Sequence, residues 1–247
     1  MTKTSKTTLF ISDLHLEPQR PDITQAFLDF LKNTAPQAEA LYILGDFFNV
    51  WIGDDNRTEL SQLVSSALKN LSLQGTSIYL MHGNRDFLMG QAFAVECSAQ
   101  LISEPYLLES HGQQFLLLHG DSLCTLDQDY MQFRSMVRQS QWQQQFLANS
   151  LKERQAYADQ ARAQSKDKNS NKAQDIMDVT PAEVEKIMQA HKVTTLIHGH
   201  THRPAVHEFD LNGDTAKRVV LGDWDKKAWY LELANSTLSL LELDIAG

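Results

Sequence analysis

Five short apolar segments in this chain each end in polar side chains that can bind metal ions. The segments have the length and composition of buried strands, and they lie at residues 8–11, 41–44, 77–81, 115–118 and 195–197. The residues that follow them are Asp13-Leu14-His15, Gly45-Asp46, Gly83-Asn84, His119-Gly120-Asp121 and Gly199-His200-Thr201-His202. Because the carboxyl ends of strands in an open α/β sheet converge on one crevice, these clusters can meet in space.

Segments with a helical spacing of apolar side chains, at residues 23–31 and 60–71, alternate with the first three strands. This alternation predicts a layered α/β core with a partly parallel sheet. Asn212-Gly213 predicts a hairpin within a C-terminal region of antiparallel strands. A last helix is predicted to begin at Thr180-Pro181, with a capping box that Glu183 completes.

A long connection separates the fourth and fifth strands. Eighty residues lie between His119 and His200, and we expect them to be helical from about residue 127 to 163. Residues 134–172 contain eight Lys or Arg and three Asp or Glu, a net charge of +5. Since the whole chain carries −9, the remainder carries −14. We therefore expect one domain over 1–247 with a basic helical insertion at about 125–175.

Each polar cluster alone is a weak signal, since Asp-x-His is common in solvated loops and Gly-Asp is common in turns. Their joint occurrence, in order and each time at a strand end, is what indicates a metal site. Carboxylate, imidazole and amide ligands suit Mn²⁺, Fe or Zn²⁺ better than Ca²⁺. The neighbouring glycines allow tight backbone turns beside such a site.

This ordered set of motifs resembles the signature of the calcineurin-like metallophosphoesterases, and the resemblance covers the chain from Asp13 to His202. It implies an α/β fold in which a β-sheet sandwich is flanked by helices. It also implies two metal ions, which would activate a water and stabilise an in-line displacement. One ion would be bound by Asp13, His15, Asp46 and His202, and the other by Asp46, Asn84, His119 and His200, with Asp46 as the bridge.

Arg85 departs from this family pattern. Many members have a histidine after the Gly-Asn pair, which is thought to protonate the leaving group. Arg85 cannot donate a proton at neutral pH, but it can pair with a phosphate. The replacement fits a leaving group that is itself a phosphate, and so it favours a pyrophosphate bond. The resemblance implies catalytic roles for Asp46, Asn84, Arg85 and His119.

Longer stretches around the same motifs resemble the UDP-2,3-diacylglucosamine hydrolase family; they are residues 11–16, 44–48, 82–87, 118–121, 176–179 and 197–204. This resemblance implies hydrolysis of the pyrophosphate bond of UDP-2,3-diacylglucosamine in lipid A biosynthesis, with two Mn²⁺ ions. The products would be UMP and 2,3-diacylglucosamine 1-phosphate (lipid X). The substrate contacts that it implies are Asn84, Arg85, Asp127, Ser165, Asn169, Lys172 and His200.

The insertion allows two interpretations. A basic lid with apolar side chains could hold the acyl chains of such a substrate and approach anionic lipid headgroups. Alternatively, the segment is a solvated helical excursion in which Phe133, Val137 and Phe146 cap the core.

Composition limits the expected partners and location. The net charge of −9 argues against nucleic-acid binding, which relies on a cationic surface. The N-terminal residues are polar, and no apolar run approaches the length of a membrane span. We therefore expect a cytoplasmic protein that associates peripherally with the anionic inner-membrane surface and has no obligate protein partner.

Other functions fit the sequence less well. A soluble nucleoside-diphosphate-sugar pyrophosphatase would share every ligand but would not need an apolar insertion. A non-catalytic, protein-binding scaffold of the same fold should have lost ligands, and none is missing here. The net acidity disfavours a nuclease.

Overall fold

The computed structural model describes residues 7–169 and 178–245, and for residues 165–169 it describes the backbone alone. The strands are β1 (Thr7–Ile11), β2 (Ala40–Leu44), β3 (Ser77–Met81), β4 (Ala99–Ile102), β5 (Tyr106–Ser110), β6 (Gln113–Leu117), β7 (Thr195–His198), β8 (Ala205–Leu211), β9 (Asp214–Val220), β10 (Lys227–Ala234) and β11 (Thr237–Asp244). The helices are α1 (Pro21–Asn33), α2 (Glu59–Leu73), α3 (Gln91–Glu96), α4 (Gln128–Val137), α5 (Ser140–Leu147), α6 (Leu151–Asn169) and α7 (Pro181–His191).

Two mixed sheets form the centre of the molecule. The first has the order β11-β10-β1-β2-β3-β4, in which β1 to β4 are parallel, β10 is antiparallel to β1, and β11 is antiparallel to β10. The second has the order β5-β6-β7-β9-β8, in which β6, β7 and β9 are parallel and the two edge strands are antiparallel. The predicted α/β core with a partly parallel sheet is therefore confirmed, as is the hairpin around Asn212-Gly213 that joins β8 and β9.

The central strands are buried on both faces. In β1, Leu9 and Ile11 belong to the apolar layer under α1, α2 and α3, whereas Phe10 lies in the layer between the two sheets. A third apolar layer, which includes Val184 and Met188, packs α7 against the outer face of the second sheet. A strand that is buried on both faces reads as a continuous apolar run, which explains why the sequence revealed these strands.

The connection between β6 and β7 contains α4, α5 and α6 ahead of α7. The predicted helical stretch begins where expected but runs on to Asn169, six residues past its predicted end, and it is divided into three helices. In α4 the only fully buried side chain is Val137, and in α5 it is Phe146. Arg154 of α6 is 3% exposed, and its Nη1 atom donates to the carbonyl oxygen of Ile52 at 2.6 Å. A few specific contacts therefore hold the insertion to the core.

The start of α7 differs from its predicted form. The helix begins after Thr180 as expected, but the Thr180 side chain makes no capping hydrogen bond. Its Oγ1 lies 2.8 Å from Oγ1 of Thr125, and Glu183 forms an ion pair with Lys186 at 3.1 Å. The predicted capping box is wrong because the hydroxyl bonds to a residue 55 positions earlier in the chain.

Across residues 7–169 and 178–245, no helix is both long and apolar enough to cross a membrane.

Candidate metal centre

The side chains that the sequence identifies as ligands lie together at the carboxyl ends of five strands. The loops after β1, β2 and β3 of the first sheet supply Asp13, His15, Asp46 and Asn84. The loops after β6 and β7 of the second sheet supply His119, His200 and His202. The site therefore depends on the packing of the two sheets, because each sheet provides only part of the ligand set.

One set of ligands, the Asp13 group, consists of Asp13, His15 and His202. Their metal-binding atoms lie within 4.8 Å of one another. The Nε2 atoms of His15 and His202 are 3.2 Å apart, and Nε2 of His202 is 3.5 Å from Oδ1 of Asp13. On its other side, Nδ1 of His202 lies 3.3 Å from Oδ2 of Asp223, which orients the ring.

A second set, the Asn84 group, consists of Asn84, His119 and His200. Oδ1 of Asn84 is 2.9 Å from both Nε2 of His119 and Nδ1 of His200. Nδ1 of His119 lies 2.9 Å from the carbonyl oxygen of Leu44. Because a carbonyl oxygen only accepts, Nδ1 carries the proton, and Nε2 is the nitrogen that can bind a metal.

Asp46 lies between the two groups. Its Oδ1 is 3.7 Å from Nε2 of His119, and its Oδ2 is 3.8 Å from Nδ1 of His15. Asp46 also clusters with Asp13 and His119, with ligand atoms within 4.8 Å. The two carboxylate oxygens thus face different groups, which is the arrangement that a bridging ligand requires.

The backbone at this site is held in an unusual conformation. Five ligand residues have positive φ angles, at 56° for Asp13, 49° for His15, 48° for Asp46, 68° for His200 and 56° for His202. For residues other than glycine, such left-handed conformations cost on the order of 1–3 kcal/mol each, and they cluster at functional sites. The surrounding structure maintains this strain where the ligands are presented.

Two glycines allow the loops to approach the carboxylates closely. A Cβ atom at Gly83 would collide with the backbone nitrogen and Oδ1 of Asp46. A Cβ atom at Gly199 would collide with Oδ2 of Asp13 and with the side chain of Ser12. Any larger residue at either glycine would therefore displace a ligand.

The buried carboxylates at this site are stabilised by positive charge on neighbouring groups. Burial raises the pKa of Asp46 to about 7, although the charge of His119 opposes the rise. Burial alone would lower the pKa of His119, but the carboxylates of Asp46 and Asp13 raise it to about 9. Burial is likewise outweighed at His202, where the adjacent carboxylates of Asp13 and Asp223 raise the pKa to about 10. Protonated imidazoles thus supply charge that a cation would also supply.

The residues fit divalent cations. Oδ1 of Asp13 and Nδ1 of His15 are buried, and among the residues that the structure describes neither has a hydrogen-bond partner. Leaving such atoms without a partner is unfavourable, and both are atoms that can bind a metal. Carboxylate oxygen, imidazole nitrogen and amide oxygen together suit Mn²⁺, Fe or Zn²⁺.

Arg85 lies next to the ligands and reaches solvent. Its backbone nitrogen donates to Oδ1 of Asp46 at 2.8 Å, and its Nε atom is 3.5 Å from Oδ2 of the same residue. Its Nη1 atom donates to Oδ1 of Asn49 at 2.6 Å, and the side chain is 37% exposed. The Arg85 guanidinium therefore lies at the rim of the site and is partly exposed to solvent, where it could contact a phosphate.

The residues predicted to contact substrate fall in different places. His200 is part of the Asn84 group. Asp127 is buried, and its Oδ1 accepts a hydrogen bond from the backbone nitrogen of Tyr130 at 3.1 Å, so it caps α4. The side chains of Ser165 and Asn169, and all of Lys172, lie outside the described part of the chain. Contacts of these residues with substrate stay predictions.

Three further aspartates support the candidate ligands, although no specific role was predicted for them from the sequence. Asp86 is fully buried and accepts hydrogen bonds from the backbone nitrogens of Gly83 and Phe47, both at 2.7 Å. Asp121 is buried two residues after His119, and Asp223 orients His202. Asp86 and Asp121 lie within motifs of the sequence, and this position could have identified them as supporting residues. Asp223 stands in no such motif.

Comparison with known proteins agrees with this geometry. The profile of the family described as calcineurin-like phosphoesterase matches residues 6–204. The UDP-2,3-diacylglucosamine hydrolase of Marinobacter nauticus is 54% identical over 93% of this chain and 94% of its own. The protein of the same name from Chromohalobacter salexigens is 56% identical over 88% of this chain and 89% of its own. The protein of the same name from Cellvibrio japonicus is 52% identical over 96% of this chain and 99% of its own.

A solved structure described as a novel archaeal phosphodiesterase has the same fold, with a TM-score of 0.51 and 13% sequence identity over 96% of this chain and 99% of that one. The two sheets flanked by helices are thus a fold that this chain shares with that structure. The family match spans all seven ligand positions. The chain belongs to the calcineurin-like phosphoesterase family of metal-dependent hydrolases, and its similarity to the UDP-2,3-diacylglucosamine hydrolases extends over nearly its whole length.

Proposed function

We propose that this protein hydrolyses the pyrophosphate bond of UDP-2,3-diacylglucosamine, in lipid A biosynthesis, to UMP and 2,3-diacylglucosamine 1-phosphate. The observation that carries the proposal is the combined ligand site with Arg85 at its rim, in a chain 54% identical to a relative of that name. An arginine where a proton donor would stand suits a phosphate leaving group, because a phosphate departs without needing a proton.

The site would hold two divalent cations, with Mn²⁺ as the proposed species. The Asp13 group would bind one ion and the Asn84 group the other, with Asp46 shared. The positions of the two Asp46 oxygens, 3.7 Å and 3.8 Å from imidazole nitrogens of different groups, support this sharing. When bound, such a pair of cations lowers the pKa of a water and neutralises the charge that develops on phosphorus.

The chain's own groups would orient the substrate. The Arg85 guanidinium, fixed by Asn49 and Asp46, can donate two parallel hydrogen bonds to a phosphate. His119 presents Nε2 in a fixed direction because its Nδ1 is engaged by Leu44. Oδ1 of Asn84 lies beside this Nε2 atom and beside Nδ1 of His200. We propose further contacts from Asp127, Ser165, Asn169 and Lys172.

The insertion would serve the lipid part of the substrate. Val137 and Phe146 are buried and so fit the role of capping the core. Apolar side chains that remain exposed around these helices are available to acyl chains or to lipid, and they are Leu126, Met136, Leu147 and Leu151. Together with the net charge of +5 over residues 134–172, they support peripheral association with an anionic membrane surface on its cytoplasmic side.

Product analysis tests the reaction. The full chain is incubated with Mn²⁺ and UDP-2,3-diacylglucosamine in ¹⁸O-labelled water, with UDP-N-acetylglucosamine as the soluble comparison. We expect UMP and the lipid phosphate as products, with the label in UMP if water attacks the phosphorus on the uridine side. Equal turnover of the soluble and the diacylated substrate would overturn the lipid assignment and favour a soluble nucleotide-sugar pyrophosphatase.

A matched pair of surface variants tests the role of the insertion. Leu147→Ser should raise KM for a long-chain substrate more than for a short-chain analogue, because it removes exposed apolar surface from α5. Leu73→Ser at the end of α2 is the control, since Leu73 is also exposed but lies outside the insertion. A chain-length effect in neither variant, or in both, would favour the interpretation of the insertion as a cap on the core.

A further inference from the structure

The helix α4 contacts the loops that carry the Asn84 group. Three residues make these contacts, and we refer to them as the α4 brace: Tyr130, Arg134 and Arg138. Tyr130 and Arg134 lie within α4, and Arg138 is its C-cap. The brace belongs to the insertion, whereas the loops that it contacts belong to the two sheets.

The first contact is with the loop that carries His119. Asp121 follows His119 by two positions and is fully buried. Its Oδ2 accepts a hydrogen bond from Nε of Arg134 at 2.8 Å and another from the hydroxyl of Tyr130. Nη2 of Arg138 lies 3.8 Å from the same oxygen. A buried carboxylate needs such partners, so Asp121 links the position of the loop to that of α4.

The second and third contacts reach the other two ligands of the group. Nη2 of Arg138 donates to the carbonyl oxygen of Gly83 at 2.9 Å, directly before Asn84. The ring of Tyr130 lies along that of His200, with 6.1 Å between centroids and 28° between planes. Each member of the Asn84 group is therefore supported from α4, through its loop or its ring.

The Asp13 group is supported from the core. His202 is oriented by Asp223 at 3.3 Å, and the backbone nitrogen of Trp224 donates to the carbonyl oxygen of Asp13 at 3.1 Å. Asp223 and Trp224 lie in the loop between β9 and β10. Oγ of Ser12 also donates to Oδ2 of Asp13, at 2.6 Å. The two halves of the site thus have supports of different origin.

We propose that the α4 brace sets the metal affinity of the Asn84 group and leaves that of the Asp13 group to the core. The inference rests on the proposed site for two cations. Tyr130, Arg134 and Arg138 act as positioning residues, because they reach the cation only through the ligands that they orient. Residues that orient metal ligands change metal affinity when they are replaced. The contact of the insertion with the core would thereby influence how tightly the Asn84 group binds its metal ion.

Mn²⁺ titration of chains that retain one group tests this assignment. His202→Ala disables the Asp13 group, and His200→Ala disables the Asn84 group. Arg134→Met and Arg138→Met are each introduced into both single-group chains, and Mn²⁺ binding to the metal-stripped protein is measured calorimetrically. In the His202→Ala chain we expect each substitution to raise the Kd for Mn²⁺ roughly tenfold or more, but in the His200→Ala chain by no more than about twofold.

Arg154→Met is the matched control, because Arg154 is another insertion arginine whose ion pair joins Asp55, nine positions after Asp46, and whose side chain has no hydrogen bond, among the described residues, to a residue next to the Asn84 group. It should leave both affinities unchanged. Equal weakening in the two single-group chains, which general loosening of the fold would also produce, overturns the proposal, and so does weakening by Arg154→Met. If the unsubstituted chain takes up two Mn²⁺ and both brace variants bind normally, only the brace is refuted. An unsubstituted chain that takes up fewer than two refutes the two-cation site itself.

Discussion

The helices of the core and those of the insertion are attached to the same sheets in different ways. In α1, five residues are buried, and four of them, including Phe27 and Phe30, join the large apolar layer under the first sheet. In α4 and α5, one residue each is buried, and much of the attachment of the insertion consists of charged side chains such as Arg134 of α4 and Arg154 of α6. Regions with few buried apolar contacts open locally at low free energy. We therefore expect the core to carry most of the stability and the insertion to open locally before the core unfolds.

The largest effect is expected from a ligand on the core. Asp46→Ala should lower turnover by more than about 100-fold, beyond the range typical of residues that only support ligands, because both groups lose their shared carboxylate. Turnover and bound metal are measured together. Asp55→Ala, which removes an exposed carboxylate that pairs with Arg154, is the control and should keep its metal. An active Asp46→Ala protein with a full complement of metal would show that Asp46 is not shared.

The same truncation in the two regions should affect stability differently. Phe27→Ala should lower the free energy of unfolding by about 3–5 kcal/mol, because it leaves a cavity in the main core. Phe146 packs against the same apolar layer, but we expect α5 to open before the core unfolds, so Phe146→Ala should change the free energy of unfolding by no more than about 1 kcal/mol. Urea denaturation measures both, and amide exchange should show faster opening of α5 alone. Similar losses for the two variants would mean that the insertion unfolds together with the core.

Substitution of Arg85 in the core should impair substrate binding without changing metal binding. Charged hydrogen bonds contribute about 1.5–3 kcal/mol, so Arg85→Ala should reduce kcat/KM by roughly 10- to 100-fold while the metal content stays normal. Arg57→Ala is the control, because Arg57 pairs with Glu96 on the surface away from the ligands. Loss of metal from the Arg85→Ala protein would assign the residue to the support of Asp46 instead.

The smallest effect is expected from Arg154, whose side chain joins the insertion to the core. Arg154→Met removes the bonds to Ile52 and Asp55, and it should speed proteolytic cleavage within α5 and α6. Turnover of a short-chain substrate should remain near that of the unsubstituted chain. Limited proteolysis, followed by mass spectrometry of the fragments, locates the cleavage. Cleavage that appears in the core first would contradict the assignment of Arg154 as a local latch.

The sequence revealed the parts of the fold that depend on local pattern. The strands that carry the ligands are buried on both faces, so they read as apolar runs, and the ligands follow directly. The short elements α3 and β4, of six and four residues, were not predicted because periodicity needs a longer segment. The brace was not predicted either, since the pairing of Asp121 with Arg134 depends on how α4 docks. The failed capping box at Thr180 has the same cause, a partner supplied by the tertiary fold.

The strands β6 and β7 are neighbours in the second sheet, although the whole insertion lies between them in the chain. A sheet constrains where a connection leaves and returns, but it sets little limit on how much chain lies between those points. Evolution can therefore lengthen, shorten or exchange this segment while His119 and His200 keep their places. Under the proposed role of the α4 brace, a segment exchanged here must keep Tyr130, Arg134 and Arg138 to preserve metal binding at the Asn84 group.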